Sequence, residues 1–141
     1  MRHQVIVAHL TDIGLERKEN QDAVNYVYDE RSDTHLLIVA DGMGGAACGS
    51  RASHLAVTTI AANFFDRDSG TLAPPQRLNR ALIAANHHIW SEANGHATQP
   101  GAPGNCRGMG ATCVALTLFN DQAWLAHVGD SRIYHITPQR I

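Results

Sequence analysis

What the sequence lacks narrows its class first. No apolar run is long enough to cross a bilayer: the most apolar short stretch, Leu36 to Ala40, falls far below the ~20 residues that a spanning helix needs. The opening Met1-Arg2-His3-Gln4 has no signal-peptide core, because charged and polar residues interrupt it. Both absences predict a cytoplasmic protein with no membrane partner. Charge is sparse as well. Lys and Arg number 11 against 13 Asp and Glu, for a formal net charge of -2. The scattered cations make no basic face, which argues against nucleic acid as a partner. Cysteine is scarce: Cys48, Cys106 and Cys113 form no CxxC pair, and an odd number argues against a disulfide framework. A zinc site from Cys48, Cys106 and some of the 9 histidines would lack any ligand-pair spacing, so free structural thiols are expected.

What is present suits one folded domain. Apolar residues make up 44% of 141 positions and charged residues 17%, enough to bury a core and too apolar for disorder. Strand-forming residues fill Val5 to Leu10, and Ala23 to Tyr28 alternates in strand fashion. After the polar turn Asp29 to Asp33, His35 to Ala40 reads as a buried strand. The following Asp41-Gly42-Met43-Gly44-Gly45 is expected to leave the sheet.

Two helices should come next. From Ser50 as N-cap, Ala52, Leu55, Ala56, Thr59, Ile60 and Phe64 share one helical face. Pro74-Pro75 opens a second helix, where Leu78, Leu82, Ala85 and Ile89 repeat as far as about Ala93. Gly95 to Gly110 reads as a mobile loop. Strands return at Thr112 to Phe119 and at Trp124 to Val128, joined by a two-residue turn at Asn120-Asp121. A last strand is expected from Arg132 to Ile136. Strands in runs with helices in a block make the fold class α+β with antiparallel sheet.

Three carboxylates sit where strands meet loops: Asp22, Asp41 and Asp130. Each alone reads as an ordinary turn-forming Asp. Together at one end of a sheet they would suit Mg²⁺ or Mn²⁺, hard cations that take oxygen ligands. The Gly42 carbonyl, with no side chain to screen it, would add another oxygen. Arg17 can clamp a phosphate through two parallel hydrogen bonds, although alone it reads as a solvated loop residue. Gly42-x-Gly44-x-x-Ala47 matches a dinucleotide-binding fingerprint, but no hydrophobic strand follows the helix, so the βαβ unit is missing. A phosphate-binding P-loop fails for want of Lys followed by Ser or Thr.

In combination these segments resemble the metal-dependent serine/threonine protein phosphatases of the PPM (type 2C) family, in their compact bacterial style. Thr11-Asp12-Ile13-Gly14 with Arg17 through Asp22 is similar to the family's opening motif. Val39-Ala40-Asp41-Gly42-Met43-Gly44-Gly45, with Gly49 and Ala52-Ser53, is similar to the second. Gly108-Met109-Gly110-Ala111-Thr112 and Val128-Gly129-Asp130-Ser131-Arg132 are similar to the third and fourth. Each is modest alone, but four in family order cover nearly the whole chain.

The resemblance implies a sandwich of two antiparallel β-sheets flanked by helix pairs, incomplete at the C-terminus, with residues 1–141 as one partial domain. It implies two Mn²⁺ or Mg²⁺ ions, with a weaker third. By analogy Asp41 bridges the pair, Gly42 ligates through its carbonyl, Asp22 joins through water, Asp130 serves the third ion and Arg17 holds the substrate phosphate. The implied function is hydrolysis of phosphoserine and phosphothreonine on proteins by a water activated between two metals roughly 3.5–4 Å apart. A serine/threonine kinase in the same pathway is the implied counterpart. That chemistry needs no covalent intermediate, so Cys48 and Cys113 read as buried small hydrophobes. Two departures stand out. Ala46 replaces a His usual in bacterial members, and the family's later metal-binding aspartates have no equivalent here. The alternative reading is therefore a catalytically inactive remnant acting as an interaction or regulatory module.

Overall fold

The computed structural model describes residues 4–69, 71–95 and 106–138. Strand β1 (Asp22–Asp29) pairs antiparallel with β2 (Thr34–Met43). Helix α1 (Ala46–Phe64), a short 3₁₀ turn (Arg67–Ser69) and helix α2 (Pro74–Gly95) follow. The chain then returns to the sheet as β3 (Gly110–Ala111), β4 (Cys113–Phe119) and β5 (Gln122–Val128). The sheet order is β1-β2-β4-β5, with β3 also on β2. Pairing Met43 with Gly110 and Val39 with Val114 keeps one register, so β3 and β4 are one strand interrupted at Thr112. All pairings are antiparallel, and the helices come in one block, so the class is α+β as the sequence predicts.

Alternation divides the sheet into two unlike faces. Leu36, Ile38, Ala40, Cys113 and Ala115 point inward, where they meet Ala52, Ala56, Ile60 and Phe64 of α1. Leu78, Ala81, Ala85 and Ile89 of α2 complete this core. The two helices are further tied by the Arg51–Glu92 ion pair and by Thr59 Oγ1 to His88 Nδ1 at 2.9 Å. The opposite face carries Val24, Leu37, Val39, Leu116 and Leu125, and no helix among the described residues covers it. Val39 and Leu125 stay 43% and 57% exposed in mid-strand, which marks that face as an incomplete interface rather than a polar surface.

Several expectations need correction. Helix α1 begins at Ala46 behind Gly45, not at Ser50, because Gly45 takes a φ of 84° that ends the preceding strand. Strand β2 runs on to Met43, since β3 supplies a partner for Gly42 and Met43. Val5 to Leu10 and Arg132 to Ile136 form no strands. Their residues favour extended backbone, but a strand exists only where another strand completes its hydrogen bonds. The Gly95–Gly110 loop lies largely outside the described residues. At Asn120-Asp121, φ values of 50° and 58° give the mirror-type turn that matches sheet twist, as expected.

The cysteine expectation fails for two of three. Cys48 and Cys106 form a disulfide, with Cα atoms 5.2 Å apart. An odd count excludes full pairing but not one pair. A bridge across 58 residues of sequence restrains the unfolded chain by about 4 kcal/mol in the loop-entropy account. The bond also takes both sulfurs away from the zinc arrangement. Cys113 is the free, buried small hydrophobe that was expected, and burial pushes its thiol up to about 11.

Candidate functional site

The β1–β2 register sets Asp22 directly opposite Asp41. Their neighbours Ala23 and Ala40 are buried against the helices, so both carboxylates project from the uncovered face. Cross-strand partners have Cβ atoms about 4.5–5.5 Å apart, and like charges so placed repel. The Asp41 carboxyl accordingly lies above the ordinary carboxylate range. Partial burial is the largest cause, followed by the Asp22 charge and a hydrogen bond between the two carboxyls. Asp130 adds a further negative charge, and Arg17 opposes the rise. Four residues named from scattered motifs thus act on one another at one end of the sheet.

Local hydrogen bonds fix this end. Asn20 accepts the Asp22 N–H at 3.0 Å, and its Nδ2 donates to Thr11 Oγ1 at 2.8 Å. Asp12 accepts the Gly14 N–H at 2.7 Å, making the turn that precedes Arg17. On the other side of β2, the Asp41 N–H donates to Thr112 Oγ1 at 3.1 Å, and the Thr112 N–H donates to the Asp41 carbonyl at 2.8 Å. Thr112 Oγ1 and Ser131 Oγ lie 2.6 Å apart, which ties the Asp130 turn to the Asp41 strand. Sequence reasoning gave Asn20, Thr112 and Ser131 no role. The Asn20 cap two residues before Asp22 was recoverable from spacing, whereas Thr112 needs the sheet register.

Gly42 is buried beneath the start of α1. Its N–H donates to the Gln21 carbonyl at 3.0 Å, and a Cβ at Gly42 would lie 1.9 Å from the Gly49 carbonyl oxygen. A Cβ at Gly49 would in turn lie 2.8 Å from the Gly42 oxygen. Two glycines therefore let the start of α1 approach the strand end that carries Asp41. The glycine loop does not open a βαβ unit: α1 leads into α2, and the next strand is antiparallel.

As a cation site the arrangement fits in part. Paired carboxylates with a raised Asp41, an Asp130 charge and a backbone carbonyl are hard oxygen donors. Yet no three His, Cys, Asp or Glu side chains among the described residues stand close enough to hold a metal ion by themselves. A groove lined by Leu82, Ile89, Trp90, Trp124 and Val128 lies between α2 and β5, and none of Asp22, Asp41 and Asp130 lines it.

Comparison with known proteins agrees with this architecture. The sequence model of the family described as Protein phosphatase 2C matches residues 16–140. Protein phosphatase PhpP of Streptococcus pneumoniae is 38% identical over 127 residues, covering 90% of this chain and 48% of PhpP. Serine/threonine protein phosphatase PstP of Mycobacterium tuberculosis is 35% identical over 124 residues, covering 88% of this chain and 21% of PstP. The crystal structure of the Mycobacterium tuberculosis phosphatase PstP/Ppp matches with a TM-score of 0.68 at 32% identity, over 87% of this chain and 46% of that chain. Serine/threonine phosphatase Stp1 of Staphylococcus aureus matches with a TM-score of 0.68 at 27% identity, over 94% and 51%. The chain spans about half the length, or less, of these relatives. Family match, fold and motif order agree: this chain belongs to the protein phosphatase 2C family.

Proposed function

We propose that residues 1–141 are the part of a protein phosphatase domain that carries Arg17, Asp22, Asp41, Gly42 and Asp130, and that the whole hydrolyses phosphoserine and phosphothreonine on proteins. The observation that carries this reading is the Asp22–Asp41 pair, two like charges held opposite each other at the sheet end. Such a pair is unfavourable unless cations neutralise it. Asp22, Asp41, the Gly42 carbonyl and, for a further ion, Asp130 would hold Mn²⁺ or Mg²⁺. Bound, these ions supply positive charge that activates a water and offsets charge on the phosphoryl group.

The chain's own residues do the rest. Arg17 binds the phosphate oxygens bidentately and absorbs charge as the phosphoryl group transfers. Asn20 and Thr112 hold the backbone at Asp22 and Asp41, so that neither carboxylate drifts with its strand end. A serine/threonine kinase would supply the phosphoprotein, and a cytoplasmic location belongs to the same reading.

A second reading, an inactive interaction or regulatory module, is favoured by the lack of a three-ligand cluster among the described residues. One experiment separates the two. Joining this chain to the C-terminal half of the Streptococcus pneumoniae relative supplies the missing length. Phosphate release from a phosphothreonine peptide that requires Mn²⁺ supports the phosphatase, and none at saturating Mn²⁺ supports the module.

A further inference from the structure

We propose that Cys48 and Cys106 form a reversible thiol–disulfide switch, worked by low-molecular-weight thiols and disulfides, whose closed form holds the Cys106–Ala111 segment against the Asp41–Gly45 strand end. This goes beyond the phosphatase reading and does not depend on it. The two sulfurs sit in unlike surroundings. Cys48 is buried in the first turn of the long helix α1. Cys106 is partly exposed, at the start of the segment that leads into β3. An incoming thiolate therefore reaches the Cys106 sulfur more easily. Attack there breaks the bond to Cys48, which leaves as the thiolate from the first turn of α1.

The chemistry balances without any other reactant. A small thiolate bonds to the Cys106 sulfur as the Cys48–Cys106 bond breaks. A second small thiolate displaces Cys106 from the mixed disulfide. The products are two protein thiols and one small disulfide, so two electrons pass from the small thiols to the protein. In reverse, the Cys106 thiolate attacks a small disulfide and releases one small thiolate, and the Cys48 thiolate then attacks the Cys106 sulfur and displaces the second. Cys113 is buried, with a thiol at about 11, and takes no part. In a reducing compartment, bridges of this accessible kind open and close rather than serve as permanent staples.

The bond bears on the strand end through short links. The Met109 N–H donates to the Cys106 carbonyl at 3.0 Å. Met109 lies so close to the turn that a Cβ at Gly44 would be 2.9 Å from its Cα. The next residues, Gly110 and Ala111, pair with Met43 and Gly42. Closing the bridge from α1 to Cys106 thus pins both sides of the turn that follows Asp41. Opening it leaves a two-residue strand to hold the segment.

The test uses the chain in glutathione buffers of graded oxidation, with free thiols trapped by alkylation in denaturant, so that buried Cys113 is counted, and weighed. Amide hydrogen exchange is read at Met43, Gly110 and Ala111 in the same samples. We expect one alkylated cysteine in the oxidised chain and three in the reduced chain. Exchange at these amides should rise at least ~10-fold on reduction. Cys106→Ser, at a partly exposed position, should exchange like the reduced chain at every ratio, with two alkylated cysteines. Three alkylated cysteines throughout, or equal exchange in both states, would overturn the proposal.

Discussion

Asp41 carries a conflict that the fold creates and a cation would resolve. Its carboxyl is raised above the ordinary value of 3.8 by burial and by Asp22 and Asp130. A raised folded-state value favours the fold while the group is protonated, and this contribution is lost as pH rises through that value. Asp41's contribution in the metal-free chain should therefore fall as pH climbs out of the acid range, opposed by Asp29, whose lowered carboxyl favours the fold as pH rises. Asp41→Asn should remove Asp41's part of that slope and be the more stable protein at neutral pH, as urea midpoints across pH would record. In the proposed function Arg17 bears on the substrate instead. In the chain completed by a relative's C-terminal half, Arg17→Ala should lower kcat/KM by about 10- to 100-fold, the worth of a bidentate charged contact. Calorimetry should show Mn²⁺ affinity nearly unchanged. A large loss of affinity would make Arg17 a structural residue.

At the scale of elements, the approach of α1 to β2 rests on Gly42 and Gly49. Gly49→Ala pits two effects against each other. Alanine improves helix propensity by ~1 kcal/mol, but its Cβ would sit 2.8 Å from the Gly42 oxygen and 3.0 Å from the Gln21 side chain. Overpacking of this kind costs about 1–3 kcal/mol, and the nearest atom is backbone, which cannot move aside cheaply. We expect net destabilisation, read as a lower urea midpoint. Most elements were legible in the sequence, because alternation and helical spacing are local signals. Both helices, β1, the β4–β5 hairpin and the class follow from them. What eluded the sequence was pairing. Val5–Leu10 and Arg132–Ile136 look like strands but pair with no strand among the described residues, and β2 extends because β3 meets it. The four motifs named Arg17, Asp22, Asp41 and Asp130 in advance. Thr112, Ser131 and the Cys48–Cys106 bridge appear only once distant segments are brought together.

On the scale of the whole molecule, the sheet's second face is the open question that the fold poses. Val39, Leu125 and their neighbours form an apolar surface on the side that bears the carboxylates. Leaving a few hundred Å² of such surface in water forgoes about 5–10 kcal/mol, comparable with the whole stability of a domain. Purified alone, the 141-residue chain should bind a hydrophobic dye and self-associate, and sedimentation would show it. A monomer with no dye binding would mean that the face is already satisfied. Joined to the C-terminal half of the Streptococcus pneumoniae relative, the same face should be covered and the carboxylates completed. The most direct test of the account is phosphate release from a phosphothreonine peptide by that completed protein, with Asp41 and with Asp41→Asn, at saturating Mn²⁺. The account predicts metal-dependent turnover that falls by about 10²–10³-fold or more in the variant. Turnover by Asp41→Asn near that of the unaltered protein would contradict it.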